Sequence, residues 1–452
     1  MKIIIVGDGK VGATLTEQLS KEGHDLTVID RRPQALQSLQ ETYDVRCVCG
    51  NGAAMGALEE AGAGEADLLI AATSADEINL LCCITASKMG SASTIARVRN
   101  TDYAQQLDLL KDELGLSMTI NPERTAAREI YHILRAPSSV NRDFFAGGKV
   151  ELVELHIPQN SAIVGQPLSK LYKKSGAKVL ICAVTRGDEV VIPSGDFVVA
   201  AGDNIHVTAQ PQDMAVLLRY LGIKTPRIQA VTILGGSRIA YYLATRLMST
   251  GVRVKIIEKE YETCRHLSQL LPGALIIHGD ATQKVLLDEE GLRDADALVS
   301  LMNFDETNAI VSMYAMQQGL PKVIAKIDRI DYMNIFKKMD VQTFISPKRL
   351  ICNHVLRYVR AMTASSGSSF NTMYQLVGGR VEALEFTASP ATKYLNVPFK
   401  DAPVRSGVLI ACILRRQKVI IATGNDCIQD GDTVILVTTS EMQVSDLNDI
   451  FQ

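Results

Sequence analysis

The chain has 452 residues, 47% of them hydrophobic and 21% charged, with a net charge of -3. That length calls for two to four domains, and the charge balance gives no electrostatic basis for binding nucleic acid or an anionic membrane surface. No stretch resembles the ~20 apolar residues of a spanning helix, and the N-terminus enters a strand directly, so neither a membrane span nor a signal peptide is expected.

Strand and helix alternate from 1 to 135. Residues 2–6 read as a strand and 12–21 as a helix ended by Gly23. Strands follow at 25–29, 45–48, 67–71, 94–98 and 118–120, and helices at 33–41, 55–60, 77–89, 102–109 and 122–135. Short Ile/Val/Leu strands between amphipathic helices specify a doubly wound parallel sheet. Residues 136–148 (APSSVNRDFFAGG) read as a linker, and 150–222 as a small α+β domain closed by a helix at 211–221. The order then repeats: strand–helix alternation from 227 to 362, a Ser/Gly-rich linker at 364–371, and a second small domain. The expected fold is two Rossmann-like domains, 1–136 and 227–363, each followed by a small α+β domain, 149–224 and 374–452.

The two halves align at a near-constant offset. Gly50-Asn51 matches Gly279-Asp280, Asp76-Glu77-Ile78-Asn79 matches Asp305-Glu306-Thr307-Asn308, and Gly202-Asp203 matches Gly431-Asp432. The chain is a duplication.

The first strand runs into Gly7-Asp8-Gly9-Lys10-Val11-Gly12. Gly7 permits the tight turn, Gly9 lets backbone approach a pyrophosphate, and Gly12 allows close helix–strand packing. The helix N-terminus then offers free N–H groups to an anion. Asp30 ends the second strand, where a carboxylate accepts ribose hydroxyls and repels a 2′-phosphate. It follows Gly12 at the same distance as Glu258 follows Ala240. The competing reading is a turn required only by packing, with Asp30 as a helix cap. Arg31, Asn51, Thr73 and Ser74 belong to the same crevice, and Arg97 ends the fifth strand at its carboxyl edge. Glu77 and Asn79 begin the next helix, where ligand contact and simple capping are both open.

The second turn, Gly235-Gly236-Ser237-Arg238-Ile239-Ala240, is degraded, because Ser237 places a Cβ where the middle glycine stood. Glu258 keeps the ribose carboxylate, Asp280 the position of Asn51, and Lys326 the positive charge of Arg97. A second nucleotide site and a purely structural copy both remain open. The seven histidines form no cluster, no residue set common to both halves supplies a catalytic base, and the nine cysteines lack metal-ligand spacing. Reduced, buried thiols are expected, and neither a catalytic residue nor a metal site is assigned.

These motifs, with Ala72-Thr73-Ser74-Ala75-Asp76-Glu77 and Ile95-Ala96-Arg97, resemble the Rossmann-like domain that regulates potassium conductance, the RCK or KTN domain. Ile163-Val164-Gly165 and Gly202-Asp203 resemble its small C-terminal domain. Two such pairs resemble the regulatory subunits of bacterial Trk-type potassium uptake systems. The resemblance implies a cytoplasmic nucleotide-sensing subunit, peripheral to the inner face of the membrane, that binds NAD (NAD+ or NADH) or ATP/ADP. It further implies a homo-oligomeric, tetrameric ring docked on a membrane potassium-translocating subunit. Its nucleotide contacts map onto Gly7 to Val11, Asp30, Thr73, Ser74 and Arg97, with Gly235 to Ile239 and Glu258 as candidates in the second half. Some relatives bind a cyclic dinucleotide in the small domain. In some single-repeat relatives the position of Glu123 binds a divalent cation, but its counterpart here is Lys348. The alternative function is an NAD-dependent oxidoreductase.

Overall fold

In the computed structural model, residues 1–100, 113–135, 141–145, 150–187, 189–223, 228–329, 343–364, 370–376, 380–416, 418–439, 442, 444 and 446–451 are described, with Tyr103, Gln106 and Leu110. The helix expected at 102–109 lies mostly outside them.

The first half contains β1 (Lys2–Val6), α1 (Lys10–Lys21), β2 (Asp25–Asp30), α2 (Pro33–Thr42), β3 (Arg46–Cys49), α3 (Met55–Glu60), β4 (Leu68–Ala71), α4 (Asp76–Met89), β5 (Ser93–Arg97), β6 (Met118–Ile120) and α5 (Pro122–Arg135). The sheet order is β3-β2-β1-β4-β5-β6, with parallel pairing throughout. The order reverses between β1 and β4, and that switch point opens a crevice at the carboxyl ends of the strands. β1 and β4 are buried on both faces, which is why they read as unbroken apolar runs.

A small antiparallel domain follows: β7 (Asn141–Phe145), β8 (Val150–His156), α6 (Leu171–Ser175), β9 (Val179–Arg186), β10 (Glu189–Val191), β11 (Asn204–Ala209) and α7 (Pro211–Tyr220). Its sheet order is β10-β9-β11-β8-β7. β7 corrects the linker expected at 136–148: Asn141–Phe145 pairs with β8 as a hairpin. The Pro, Ser and Gly residues flanking that segment masked a short strand.

The second half repeats the first as β12 (Ala230–Leu234), α8 (Arg238–Met248), β13 (Arg253–Glu258), α9 (Tyr261–Leu270), β14 (Leu275–His278), α10 (Lys284–Glu289), β15 (Ala297–Ser300), α11 (Asp305–Gln317), β16 (Lys322–Lys326), β17 (Thr343–Ile345) and α12 (Pro347–Ala364). The strand order is equivalent, β14-β13-β12-β15-β16-β17. Last come β18 (Phe370–Leu376), β19 (Val381–Thr387), β20 (Val408–Arg415), β21 (Lys418–Ile421) and β22 (Thr433–Thr439), in the order β18-β19-β22-β20-β21. A short 3-10 turn, Leu447–Ile450, stands where the first small domain has α7.

By compactness the chain forms two units. One holds both Rossmann domains (Met1–Arg135 and Arg227–Leu356), the other both small domains. Within the first unit the closing helices are exchanged. Ala126, Ala127, Ile130, Tyr131 and Leu134 of α5 enter the core cluster of the second half, with Val231, Ile233, Leu243 and Val299. Full burial of side chains such as Ile130 and Leu134 contributes about 1.5–3 kcal/mol each. Lys322, 4% exposed, donates to Ile133 O (2.5 Å) and Leu134 O (3.1 Å), so the second half caps the end of α5. Reciprocally, Cys352 of α12 points its thiol at Thr14 O on α1, 3.7 Å away.

In the second unit the two sheets share a core of Leu152, Cys182 and Ala183 with Val381, Ala383, Cys412 and Val437. Each small domain carries the same ion pair. Arg186 grips Asp203 through Nε and Nη2 (both 2.8 Å), and Arg415 grips Asp432 at 2.9 and 2.8 Å. The aspartates also accept Ala200 N and Gln429 N, closing the Gly-Asp turns whose repetition marks the duplication. Asp203 is 1% exposed, and the Arg186 side chain and Ala200 N–H hold its carboxyl below the ordinary value of 3.8 against the upward push of burial. A carboxylate depressed in the folded state stabilises above its unfolded pKa, and that stabilisation is lost as pH falls through the folded value. An Arg186→Met variant should therefore be clearly less stable than the parent in denaturant at pH 7. The gap should close as the pH falls below about 4, and an equal gap at both ends of the range would remove Asp203 as its source.

Candidate nucleotide site

The first glycine turn leaves β1 at Gly7, whose φ of +97° places it where side chains are strained, and whose N–H donates to Ile29 O at 2.8 Å. Gly12 sits in the first turn of α1, where an added Cβ would lie 1.9 Å from Gly7 O. Gly9 is different. It caps α1 in extended backbone (φ -87°), and an added Cβ would meet nothing within 4 Å. Packing explains Gly7 and Gly12 but not Gly9, whose backbone faces open space.

Asp30 lies at the mouth of this turn. Its Oδ2 accepts Asp8 N at 2.7 Å, its Oδ1 accepts Arg32 N (2.9 Å) and Nε (3.0 Å), and Arg32 Nη2 reaches Asp8 O at 2.7 Å. Burial pushes the Asp30 carboxyl up, but these donors outweigh it and hold it below the ordinary range. The group is therefore an anion at neutral pH, with lone pairs left for hydroxyl donors. Burial, then the charge of Asp30, pushes the Asp8 carboxyl up, and Asp8 Oδ1 is buried without a partner.

A cavity of about 840 Å³ opens from the crevice. Of the expected site residues, Gly7, Gly9, Lys10, Val11, Asp30, Arg31, Asn51, Thr73, Ser74 and Arg97 line it. Ser237, Arg238 and Ile239 line it too, so the second glycine turn faces the same cavity as the first. Asp8, Gly12, Glu77, Gly235, Gly236, Glu258 and Asp280 are not among the lining residues. Lys326, Asp328, Pro347 and Lys348 complete the second half's contribution. Lys10 bridges the halves to Asp328 at 3.0 Å, and Tyr242 OH accepts from Asn121 Nδ2 and donates to Arg99 O, both at 3.3 Å.

The polar run after β4 does structural work. Asn79 is fully buried; its Oδ1 accepts Thr73 N (2.8 Å) and Thr73 Oγ1 (2.7 Å), and its Nδ2 donates to Arg97 O (2.9 Å). Asp76 accepts Arg99 N and Asn100 N, both at 2.7 Å. Asn308 and Asp305 repeat both arrangements. These side chains join the ends of adjacent strands and so hold Thr73, Ser74 and Arg97 at the cavity. Glu77 instead meets Tyr103 OH at 2.9 Å.

Arg97 lies 3.5 Å from Glu123, yet its Nε and Glu123 Oε2 are buried without hydrogen-bond partners. Burial pushes both the Arg97 guanidinium and the Lys326 amine down. The excess of cationic side chains in the cavity lining, eight against three acidic, together with the buried Arg97 Nε, suits an anionic ligand.

The second turn is held by equivalent contacts. Ser237 Oγ caps α8 by accepting Ala240 N at 3.4 Å. Glu258 accepts Gly236 N (2.5 Å) and Glu260 N (2.7 Å), while Asp280 pairs with Lys259 at 3.1 Å. A Cβ at Gly236 would meet Leu267 at 2.7 Å, so this glycine answers to packing.

Fold and site together define a tandem Rossmann protein with an open, cation-rich crevice at the junction of its two halves. The TrkA-N domain model matches residues 3–122 and 231–347, and the TrkA-C domain model matches 152–222. The chain is 32% identical over 444 residues to Trk system potassium uptake protein TrkA homolog 1 of Methanosarcina mazei, covering 96% of this chain and 97% of the relative. It is also 32% identical over 458 aligned positions to Trk system potassium uptake protein TrkA of Halomonas elongata, covering 100% and 99%. Among solved structures, the GsuK channel bound to NAD superposes with a TM-score of 0.63 at 18% identity, over 97% of this chain and 77% of that one. The isolated GsuK RCK domain gives 0.62 at 17% identity, over 97% and 92%. These two likenesses concern the fold. The chain belongs to the TrkA family.

Proposed function

We propose that this protein is the nucleotide-sensing regulatory subunit of a Trk-type potassium uptake system. NAD(H) or an adenine nucleotide binds between the Gly7–Gly12 turn and Asp30. The carrying observation is Gly9, open to solvent with no packing need for glycine, beside an ionised Asp30. Its relatives' names supply the partner class, a potassium uptake system. Among the described residues, no helix is long and apolar enough to cross a membrane, which suits a subunit held at the inner face by its partner. Several chains close a ring, and four is the expected number. Nucleotide acts by binding two arrangements of that ring with different affinity.

Asp30 and the backbone N–H groups of residues 8–11 would hold ribose and pyrophosphate, and Arg97 a phosphate oxygen. The relatives carry the name of a potassium uptake system and not of an oxidoreductase, which favours regulation over hydride transfer. An affinity pull-down from native membranes with the tagged full chain, in NADH and separately in ATP, should recover a potassium-translocating membrane protein. Recovery in neither would end the regulatory reading. Steady consumption of NADH with any small carbonyl substrate would favour the oxidoreductase.

A further inference from the structure

α5 and α12 occupy equivalent places and begin alike, with Pro122-Glu123 and Pro347-Lys348, and both pairs line the cavity. At this point the duplication has lost its symmetry. One half brings a carboxylate, the other an ammonium. A hard divalent cation needs several oxygen ligands, and a matched pair of acids here would offer them. Glu123 and Lys348 do not.

The remaining charges point the same way. Of the three acidic groups lining the cavity, Asp30 is held by Arg32 and Asp8 N, Asp328 by Lys10 at 3.0 Å, and Glu123 faces Arg97 at 3.5 Å. Among the described residues, no ion pair holds Arg238 or Lys348, both from the second half, while Lys326 shares the charge of Asp328 with Lys10. Mg2+ cancels two of the negative charges of the bare polyphosphate, so a site rich in uncommitted cations favours the bare anion.

We propose that the cavity takes ADP or ATP as the metal-free anion, with Lys348 and Lys326 supplying at the phosphates the positive charge that a divalent cation would otherwise bring. A phosphate-bearing nucleotide is then held by both halves at once. This rests on the proposed nucleotide function and adds the form of the ligand and the residues that read it.

The test is calorimetric titration of the full chain with ADP, in EDTA and in excess Mg2+, with NADH as a parallel ligand. The parent should bind ADP at least as tightly in EDTA as in Mg2+. Lys348→Glu creates an acid pair with Glu123, and should weaken ADP binding in EDTA by about tenfold or more, with Mg2+ recovering most of it. Lys348→Ala should weaken binding without that recovery. An acid suits the first turn of a helix, so Lys348→Glu should fold, and its melting curve checks this. The proposal is overturned if the parent requires Mg2+, or if Lys348→Glu binds ADP in EDTA within twofold of the parent. In either case retained NADH binding would leave the nucleotide function standing. Failure of the parent to bind ADP and NADH in either buffer would overturn both.

Discussion

Asp30→Ala should lower affinity for NADH and for ADP by roughly ten- to a hundredfold. A hydrogen bond to a charged acceptor is worth about 1.5–3 kcal/mol, and each 1.4 kcal/mol is tenfold in affinity. The Asp30 carboxylate is preorganised for the role: Asp8 N at 2.7 Å and Arg32 at 2.9 and 3.0 Å fix both oxygens before any ligand arrives. The same contacts tie the glycine turn to β2, so part of the loss would come from a looser turn. Titration calorimetry on Asp30→Ala and Asp30→Asn separates the two, because the amide variant retains one oxygen to hold the turn but lacks the charge. Asp30→Ala binding within twofold of the parent would remove the first crevice from the account.

The second large effect is on stability. Gly12→Ala places a methyl carbon 1.9 Å from Gly7 O, where real contacts are 3.0 Å or longer, so α1 or the turn must retreat by about an ångström. Overpacking of this kind costs about 1–3 kcal/mol, which lowers the melting temperature of a domain of this size by roughly 2–4 °C per kcal/mol. Gly9→Ala is the control. Nothing lies within 4 Å of the new carbon, so it should melt with the parent while losing nucleotide affinity. If Gly9→Ala melts early, that glycine answers to packing after all. A Gly9→Ala protein with unchanged affinity would show that nucleotide phosphates do not approach this backbone.

Much of this architecture is legible in sequence because its signals are local. Strand–helix alternation specifies the doubly wound sheets, and polar tetrads at a near-constant offset reveal the duplication. The crevice is legible for the same reason: the glycines and Asp30 sit at fixed distances along one βαβ unit. The remainder depends on tertiary contacts that leave no periodic trace. Asn79 reads by position as a ligand group or a cap, yet it and the nearby Asp76 have partners that include backbone atoms at and beyond the end of the next strand, Arg97 O and Arg99 N. No motif singles out Lys322, and only the exchange of α5 shows why it is buried. The sharing of one cavity by both glycine turns is equally hidden, since sequence spacing presents them as two separate crevices.

The exchanged helices set a timetable for biosynthesis. α5 ends at Arg135, but the last strand of the sheet that receives it ends at Ile345. At 5–20 residues per second, the apolar face of Ile130, Tyr131 and Leu134 waits about 10–40 s on the ribosome for its socket to emerge. During that interval the first Rossmann domain is complete as a sheet yet adhesive along one helix. Joining the two halves in one polypeptide makes the correct socket the nearest one when it finally appears.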